Sequence, residues 1–474
     1  MDSRAVIIGY TAQPDRITSS GARISTTKGD SLSIFEQATD EEKNQKLVKK
    51  VLASGHRSLV EHISFNLAFV NVSAYVEQFM IEFRLASFTV KSRRYVDFSN
   101  MGYVEPAFVD ETGAPLANAA RLRELYHSHM DFLFQEYERF VQAGIPKEDA
   151  RFLLPYSYRS NFYCTVNARE LCNILYSMLY GRGRRHHELN AIGRDLLEQA
   201  ARICPYVFED LSVMEGGEED KRDRLAELLA IPDGVPSAAE PGVELLSYTA
   251  DPENVVARAA LIQYTNLPTQ AIQECLKDRE RVERILELVV SGRRPRELEQ
   301  VSFTFRLNSV TLAAITHLTR HRVQSILVPP LHDVCRCERY LIPDTVRADE
   351  ELLKRYQDAY AQTQQAYDIL ASNGLNRYEL AYFYLSGNVL DITTTMNGRE
   401  LLAFISLRAC NRAQQETRVI AIRMLNLLRD VSPMLFGRFG PSCYVKGHCP
   451  EGKMTCGRSC EMQKKFGERT VDLW

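Results

Sequence analysis

The feature that most restricts this chain is that it carries one pattern twice. Tyr10-Thr11-Ala12-Gln13-Pro14 returns 238 residues later as Tyr248-Thr249-Ala250-Asp251-Pro252. At the same shift, Glu61-His62-Ile63-Ser64-Phe65 returns as Glu299-Gln300-Val301-Ser302-Phe303, and Arg84 and Ser87 fall on Arg322 and Ser325. Thr165-Val166-Asn167-Ala168-Arg169-Glu170-Leu171 returns as Thr395-Met396-Asn397-Gly398-Arg399-Glu400-Leu401 at a shift of 230, and Cys204-Pro205 corresponds to Ser432-Pro433. Blocks kept in one order at so long a period exclude a solenoid and imply two related domains in tandem. We expect a first repeat over 1–215, a linker over 216–242, a second repeat over 243–440 and a Cys-rich tail over 441–474. The linker mixes charge, Gly and Pro and has room for one short helix at 222–229.

A chain of 474 residues can bury two sizeable cores. A charged content of 25% with a net charge of −3 fits neither a nucleic-acid-binding polycation nor an acidic disordered chain. No apolar run is long enough to span a bilayer. The apolar patch in 1–10 is too short for a signal peptide and reads as a strand. Eleven cysteines, an odd number in a large chain, argue against a secreted disulfide scaffold. These features lead us to expect a cytoplasmic protein with reduced thiols, Cys335 and Cys337 among them, and with no membrane or nucleic-acid partner.

Periodicity predicts helices over 40–52, 73–83, 118–143 (with Asn118 as N-cap), 167–180 and 186–204, and a strand over 63–72. The stretch 88–97 reads as irregular or extended. The second half repeats this with a strand over 301–308 and helices over 310–319, 350–372 and 399–429. The fold class is therefore α+β: a tandem pair of domains, each a small, mainly antiparallel sheet packed with long helices.

Several side-chain groups stand out. Arg320-His321-Arg322-Val323-Gln324-Ser325 closes what reads as an amphipathic helix, gathering donors suited to a phosphate. The plainer reading is a cationic helix end complementing the dipole. On a continuous final helix, Arg408, Asn411, Gln415 and Arg418 are spaced 0, 3, 7 and 10 and share one face, able to bind an anion or a pyrimidine edge, or simply a solvated polar face. The adjacent His186 and His187 point apart on a helix, which argues against a metal there, and Arg182, Arg184 and Arg185 offer an anion contact instead. Cys443, Cys449, Cys456 and Cys460, with His448, are spaced more loosely than paired zinc knuckles, so we expect no metal and free thiols, a structural zinc being the alternative.

Taken together, these residues resemble the flavin-dependent thymidylate synthase family, whose motif has the form R-H-R-x-x-S-x-N-x-x-S-x-R-Y. Arg320-His321-Arg322 through Ser325 matches its first half. Arg84 through Ser87, continuing to Ser92-Arg93-Arg94-Tyr95, matches its second half. Glu61-His62, Ala150-Arg151-Phe152-Leu153-Leu154-Pro155, and Arg408 followed by Ala413-Gln414-Gln415-Glu416-Thr417-Arg418 also resemble family segments, as does the tail from Gly440 to Gly457. Neither copy is complete. The first has Glu82-Phe83 for Arg-His and Thr89 for Asn. The second has Gln300 for the upstream His and lacks the Asn after Ser325, with Arg339-Tyr340 as a displaced motif end and Cys337 in place of Ser.

The resemblance implies reductive methylation of dUMP to dTMP, with FAD as cofactor and with NADPH and methylenetetrahydrofolate as co-substrates. It requires no side-chain nucleophile, and flavin would sit between subunits, not in a Rossmann fold. It implies FAD contacts at Arg320, His321, Arg322, Ser325, Arg408 and Asn411. It implies dUMP contacts at Ser92, Arg94, Arg84 and Arg418, and catalytic roles for His62 and Arg418. Because each repeat keeps a different half of the motif, we expect hybrid sites and a homodimer forming a pseudo-tetramer of four domains. The alternatives are action on another pyrimidine nucleotide, or a non-catalytic nucleotide-binding homologue.

Overall fold

The computed structural model describes residues 3–209, 211, 228 and 241–468. It divides into two compact units. The first comprises residues 1–236 and 335–388, and the second comprises 237–334 and 389–474. The segment Cys335–Asn388, which the repeat alignment places in the second copy, thus packs within the first unit.

The first unit holds strands β1 (Arg4–Tyr10), β2 (Ser64–Ser73), β3 (Ala86–Val90) and β4 (Arg159–Asn167). They pair antiparallel in the order β1-β2-β4-β3. Alternation turns Phe65, Leu67 and Phe69 of β2 and Phe162, Cys164 and Val166 of β4 to the core, where Phe69 and Phe162 stack at 4.4 Å between centroids. The long helices Ala119–Gln142 and Glu350–Ser372 pack together in this unit. Arg355 forks onto Glu136 at 2.7 and 3.0 Å, and His129 Nε2 meets Thr363 Oγ1 at 3.1 Å. Thr363 spends its own proton on Ala359 O, so His129 Nε2 is the donor.

The second unit repeats the plan with β5 (Gly242–Tyr248), β6 (Ser302–Thr311), β7 (Ser325–Leu327) and β8 (Val389–Asn397), in the order β5-β6-β8-β7. Even the unusual backbone is copied. Among the described residues, four non-glycine residues have positive φ: Gln13, Asn71, Asp251 and Ser309. They form two pairs, each separated by 238. Asn71 and Ser309 sit at bulges in β2 and β6. Each amide there is held by a side chain on the neighbouring strand, Asn71 N by Asn161 Oδ1 (3.0 Å) and Ser309 N by Asp391 Oδ1 (2.9 Å).

Several expectations need correction. The final helix over 399–429 is two helices, Gly398–Arg408 and Gln415–Val431, separated by a turn. Asn118 occupies the N-cap position but makes no capping bond, and its amide binds Asn373 instead. The helix before Arg320 spans Leu312–Leu318, shorter than expected because β6 runs on to Thr311, and it is buried nearly all round, not amphipathic. β4 and β8 were not anticipated. The expected helix at 222–229 lies outside the described residues except for Leu228.

Candidate functional site

In the second unit, the turn between helix Leu312–Leu318 and β7 is built by alternation. His321 and Gln324 are buried, whereas Arg320, Arg322 and Val323 project. Gln324 donates through Nε2 to Leu318 O and accepts from Thr394 Oγ1 at 2.9 Å, tying the turn to its helix and to β8. His321 packs edge-on against Phe404 and meets Glu400 Oε1 through Nδ1 at 3.0 Å. Arg408, the last residue of helix Gly398–Arg408, donates through Nε to His321 Nε2 at 3.1 Å and through Nη2 to His317 O at 2.9 Å. Burial is the main cause holding the imidazole pKa below its usual value. Glu400 opposes that shift, and the Arg408 charge adds to it. The ring is therefore neutral at pH 7, and with Nε2 accepting, Nδ1 carries the proton. Two guanidinium forks project above this buried layer, an arrangement suited to a phosphate.

The same corner of the first unit is wired differently. Glu82 and Phe83 replace Arg320 and His321, Ala86 replaces Gln324, and at the shift of 230 Met178 replaces Arg408. Glu82 is ion-paired with Arg182, whose guanidinium lies 4.6 Å over the Phe79 ring. The Arg182 charge is thus directed to a side chain of its own unit. His186 is buried, stacked on Tyr75 at 4.3 Å, whereas the adjacent His187 is exposed, so the two do point apart. Arg84 is exposed in the turn entering β3.

The segment after β3 buries Arg93, not Arg94. Arg93 pairs with Glu77 at 2.7 Å, both nearly inaccessible, and Ser160 also donates to Glu77. Arg94 is half-buried, donating through Nε to Glu148 Oε2 at 2.6 Å and through its backbone N to Ser92 Oγ at 3.3 Å. His62 is exposed at the end of a 3-10 turn, Arg57–His62. Its neighbour Glu61 pairs with Arg169 at 2.6 Å, and Glu299 repeats that pair with Arg399. This gives both motif glutamates a structural role.

Because the final helix breaks, Arg408, Asn411, Gln415 and Arg418 do not share a helix face. The turn brings two of them together: Arg418 Nη1 donates to Asn411 Oδ1 at 3.3 Å. Glu416 accepts from both the backbone N and the hydroxyl of Thr311, and Glu188 accepts from Ser73 N at 2.9 Å at the equivalent place. Both pairs anchor a helix to the end of a strand. The tail lies against the turn as well, with Arg412 Nε donating to Met454 O at 2.9 Å. All eleven cysteines are free thiols. Cys410, which the sequence reading left out, neighbours Cys443, Cys449 and Cys456, whereas Cys460 is exposed. Among the described residues, no group of three or more His, Cys, Asp or Glu side chains is placed to hold a metal ion.

A two-copy chain with this conserved scaffold matches the family model for thymidylate synthase complementing protein twice, over residues 6–206 and 244–434, and it belongs to that family. Its relatives include flavin-dependent thymidylate synthases of Geobacter sulfurreducens, 34% identical over 232 residues, and of Clostridium tetani, 35% identical over 241. These matches cover 48% and 47% of this chain but 99% and 96% of the relatives. Similar solved structures include a Helicobacter pylori flavin-dependent thymidylate synthase complexed with FAD and dUMP (23% identity, TM-score 0.34, 44% of this chain and 99% of that one). Another is the UMP/dUMP methylase PolB of Streptomyces cacaoi (22% identity, TM-score 0.39, 45% and 95%).

Proposed function

We propose that the chain is an FAD-dependent thymidylate synthase that converts dUMP to dTMP, using methylenetetrahydrofolate as carbon donor and NADPH as reductant. The observation that carries this reading is the Arg320–Ser325 turn. Its buried His321 and Gln324 hold two arginines outward, in a chain whose relatives are named for this activity. The donor set fits a flavin dinucleotide: guanidinium, amide and hydroxyl groups suit a pyrophosphate and a ring edge, and no carboxylate projects with them from residues 320–325.

Reduced flavin, when bound, supplies the hydride, and the chain supplies binding, orientation and electrostatics. We assign FAD binding to Arg320, His321, Arg322, Ser325, Arg408 and Asn411. Arg408 does this as a wall, since two of its nitrogens are committed inward. Arg94, Ser92, Arg84 and Arg418 bind dUMP through its phosphate and pyrimidine edge, and Arg418 and His62 stabilise charge as it develops on the ring. These residues come from both repeats, so each site is a hybrid, completed within one chain or across a cytoplasmic homodimer of four ThyX-like domains.

The test is direct. Purified protein should show flavin absorbance, bleach with NADPH, form dTMP only when dUMP and methylenetetrahydrofolate are present, and rescue a thymidine auxotroph. R94A and R322A should each abolish rescue. Retention of activity by either variant would sink the hybrid site. Flavin-loaded protein that ignores dUMP would move the reading to another pyrimidine nucleotide, and colourless protein without rescue would leave a binding homologue.

A further inference from the structure

Glu400 has no role in the reading above, yet it is buried in contact with the site's only buried histidine. It lies in the first turn of helix Gly398–Arg408, where its backbone N is capped by Asn397 Oδ1 at 2.8 Å. That cap fixes the main chain, and the carboxylate faces His321 Nδ1. The ring therefore has one acceptor (Glu400) on one side and one donor (Arg408 Nε) on the other. Only the neutral Nδ1–H tautomer satisfies both. An Nε2–H ring would set two donors against each other at Arg408.

We propose that Glu400 is a positioning residue that locks His321 in the Nδ1–H tautomer, so that Nε2 accepts from Arg408 and the guanidinium plane is fixed beneath the anion-binding arginines. This deepens the flavin and nucleotide reading and rests on it for the identity of the anion. The first unit supports the proposal as an internal control. Glu170 occupies the same place after the same Asn cap and is also buried, but Phe83 and Met178 stand where His321 and Arg408 would be. Glu170 there accepts from Asn173 Nδ2 at 2.8 Å. Histidine and arginine are absent together where Glu82 removes the cationic face, as expected if the three side chains act as one device. The charged and titratable groups around His321 are Glu400 and Arg408 from helix Gly398–Arg408, His317 from helix Leu312–Leu318, and Arg320 and Arg322 on its own turn.

The experiment uses the full-length protein labelled with 15N-histidine, with H321F, which installs the first repeat's residue, assigning the His321 signals. The unliganded wild type at pH 7.5 should show a protonated Nδ1 and an unprotonated Nε2. E400Q, whose amide oxygen can still accept from Nδ1, should keep that tautomer and bind FAD, read by fluorescence quenching, within about threefold of wild type. E400A should lose the tautomer preference and bind FAD at least about tenfold more weakly. A wild-type Nε2–H ring or imidazolium, or an E400A protein that binds FAD as wild type does, would overturn the proposal. A purely structural Glu400 would lower thermal stability in both variants without separating them in tautomer or affinity. If E400A does not fold, the wild-type tautomer and E400Q still decide. Wild-type protein that binds neither FAD nor dUMP defeats the functional reading, whereas the tautomer is measured without any ligand.

Discussion

The corner that follows β2 and the corner that follows β6 share a backbone and differ in charge. One has Glu82, Phe83, Ala86 and Met178, and the other has Arg320, His321, Gln324 and Arg408. The bulges, their cross-strand holders and the Glu188 and Glu416 anchors are common to both. The architecture is therefore specified by groups separable from those that make the anion face. A second contrast lies one layer deeper. Glu77, paired with Arg93 in the first unit, is replaced at the 238 shift by Ile315, fully buried among apolar neighbours. One copy stabilises this helix by an ion pair and the other by packing.

The buried pair gives the strongest way to break the comparison. E77A should strand Arg93 and destabilise the first unit by about 3–5 kcal/mol, read by urea unfolding, whereas replacing both Glu77 and Arg93 by apolar residues should recover much of that loss. A loss below about 1 kcal/mol for E77A would show the pair to be hydrated and the contrast with Ile315 to be empty. Next, R322A should weaken FAD binding by about 3 kcal/mol, roughly a hundredfold, while E82A leaves it unchanged. Equal effects in the two variants would make both corners functional.

Two buried groups of the first unit set opposite pH dependences. Burial lowers the His129 pKa to about 4, so the unfolded chain takes up its proton near 6.5 and the folded one only near 4. Its stabilising contribution is complete above pH 6.5 and is lost as pH falls from 6.5 to 4, by roughly 3 kcal/mol. Burial raises Glu379 to about 7, so its contribution runs the other way and is lost as pH rises from 4.5 to 7. Stability profiles of H129Q and E379Q should each be flatter than wild type on the named flank, and an unchanged acid limb in H129Q would exclude His129. The smallest effect concerns the bulges. S309G should gain about 0.5–1 kcal/mol by relieving a left-handed serine, and N71G less, because Asn tolerates that conformation better. The reverse order would mean that side-chain contacts outweigh backbone strain there.

Much of this was legible because the chain could be read against itself. The first repeat's helix break shows in Gly181 and Gly183, whereas the second repeat's break at 409–414 contains no Gly or Pro. Its trace was the fall in alignment shift from 230 to 228 between Asn397 and Ser432, which places a length difference in that turn. The turn is held by tertiary contacts, Arg412 to Met454 and Arg418 to Asn411, that local propensity cannot register. β4 and β8 alternate cleanly, but their inward positions include Ser160, Cys164 and Thr394, small or polar residues that mute the pattern. The cationic motif was visible at once. That His321 faces inward while its two arginine neighbours face out was not, because it depends on Glu400, 79 residues away.

The main chain passes from one unit to the other three times, after residues 236, 334 and 388. Neither unit is therefore a contiguous stretch of chain, and the first repeat excised alone would lack part of its unit's core. A protease site engineered into 230–236 should give two fragments on a denaturing gel that still travel as one particle in native buffer, since the downstream fragment carries Cys335–Asn388, part of the first unit's core. Such interleaving makes the duplication hard to reverse. Once the second copy completes the first unit's core, the first unit cannot outlast the loss of the second copy, and the two sequences are free to diverge in chemistry without being free to part.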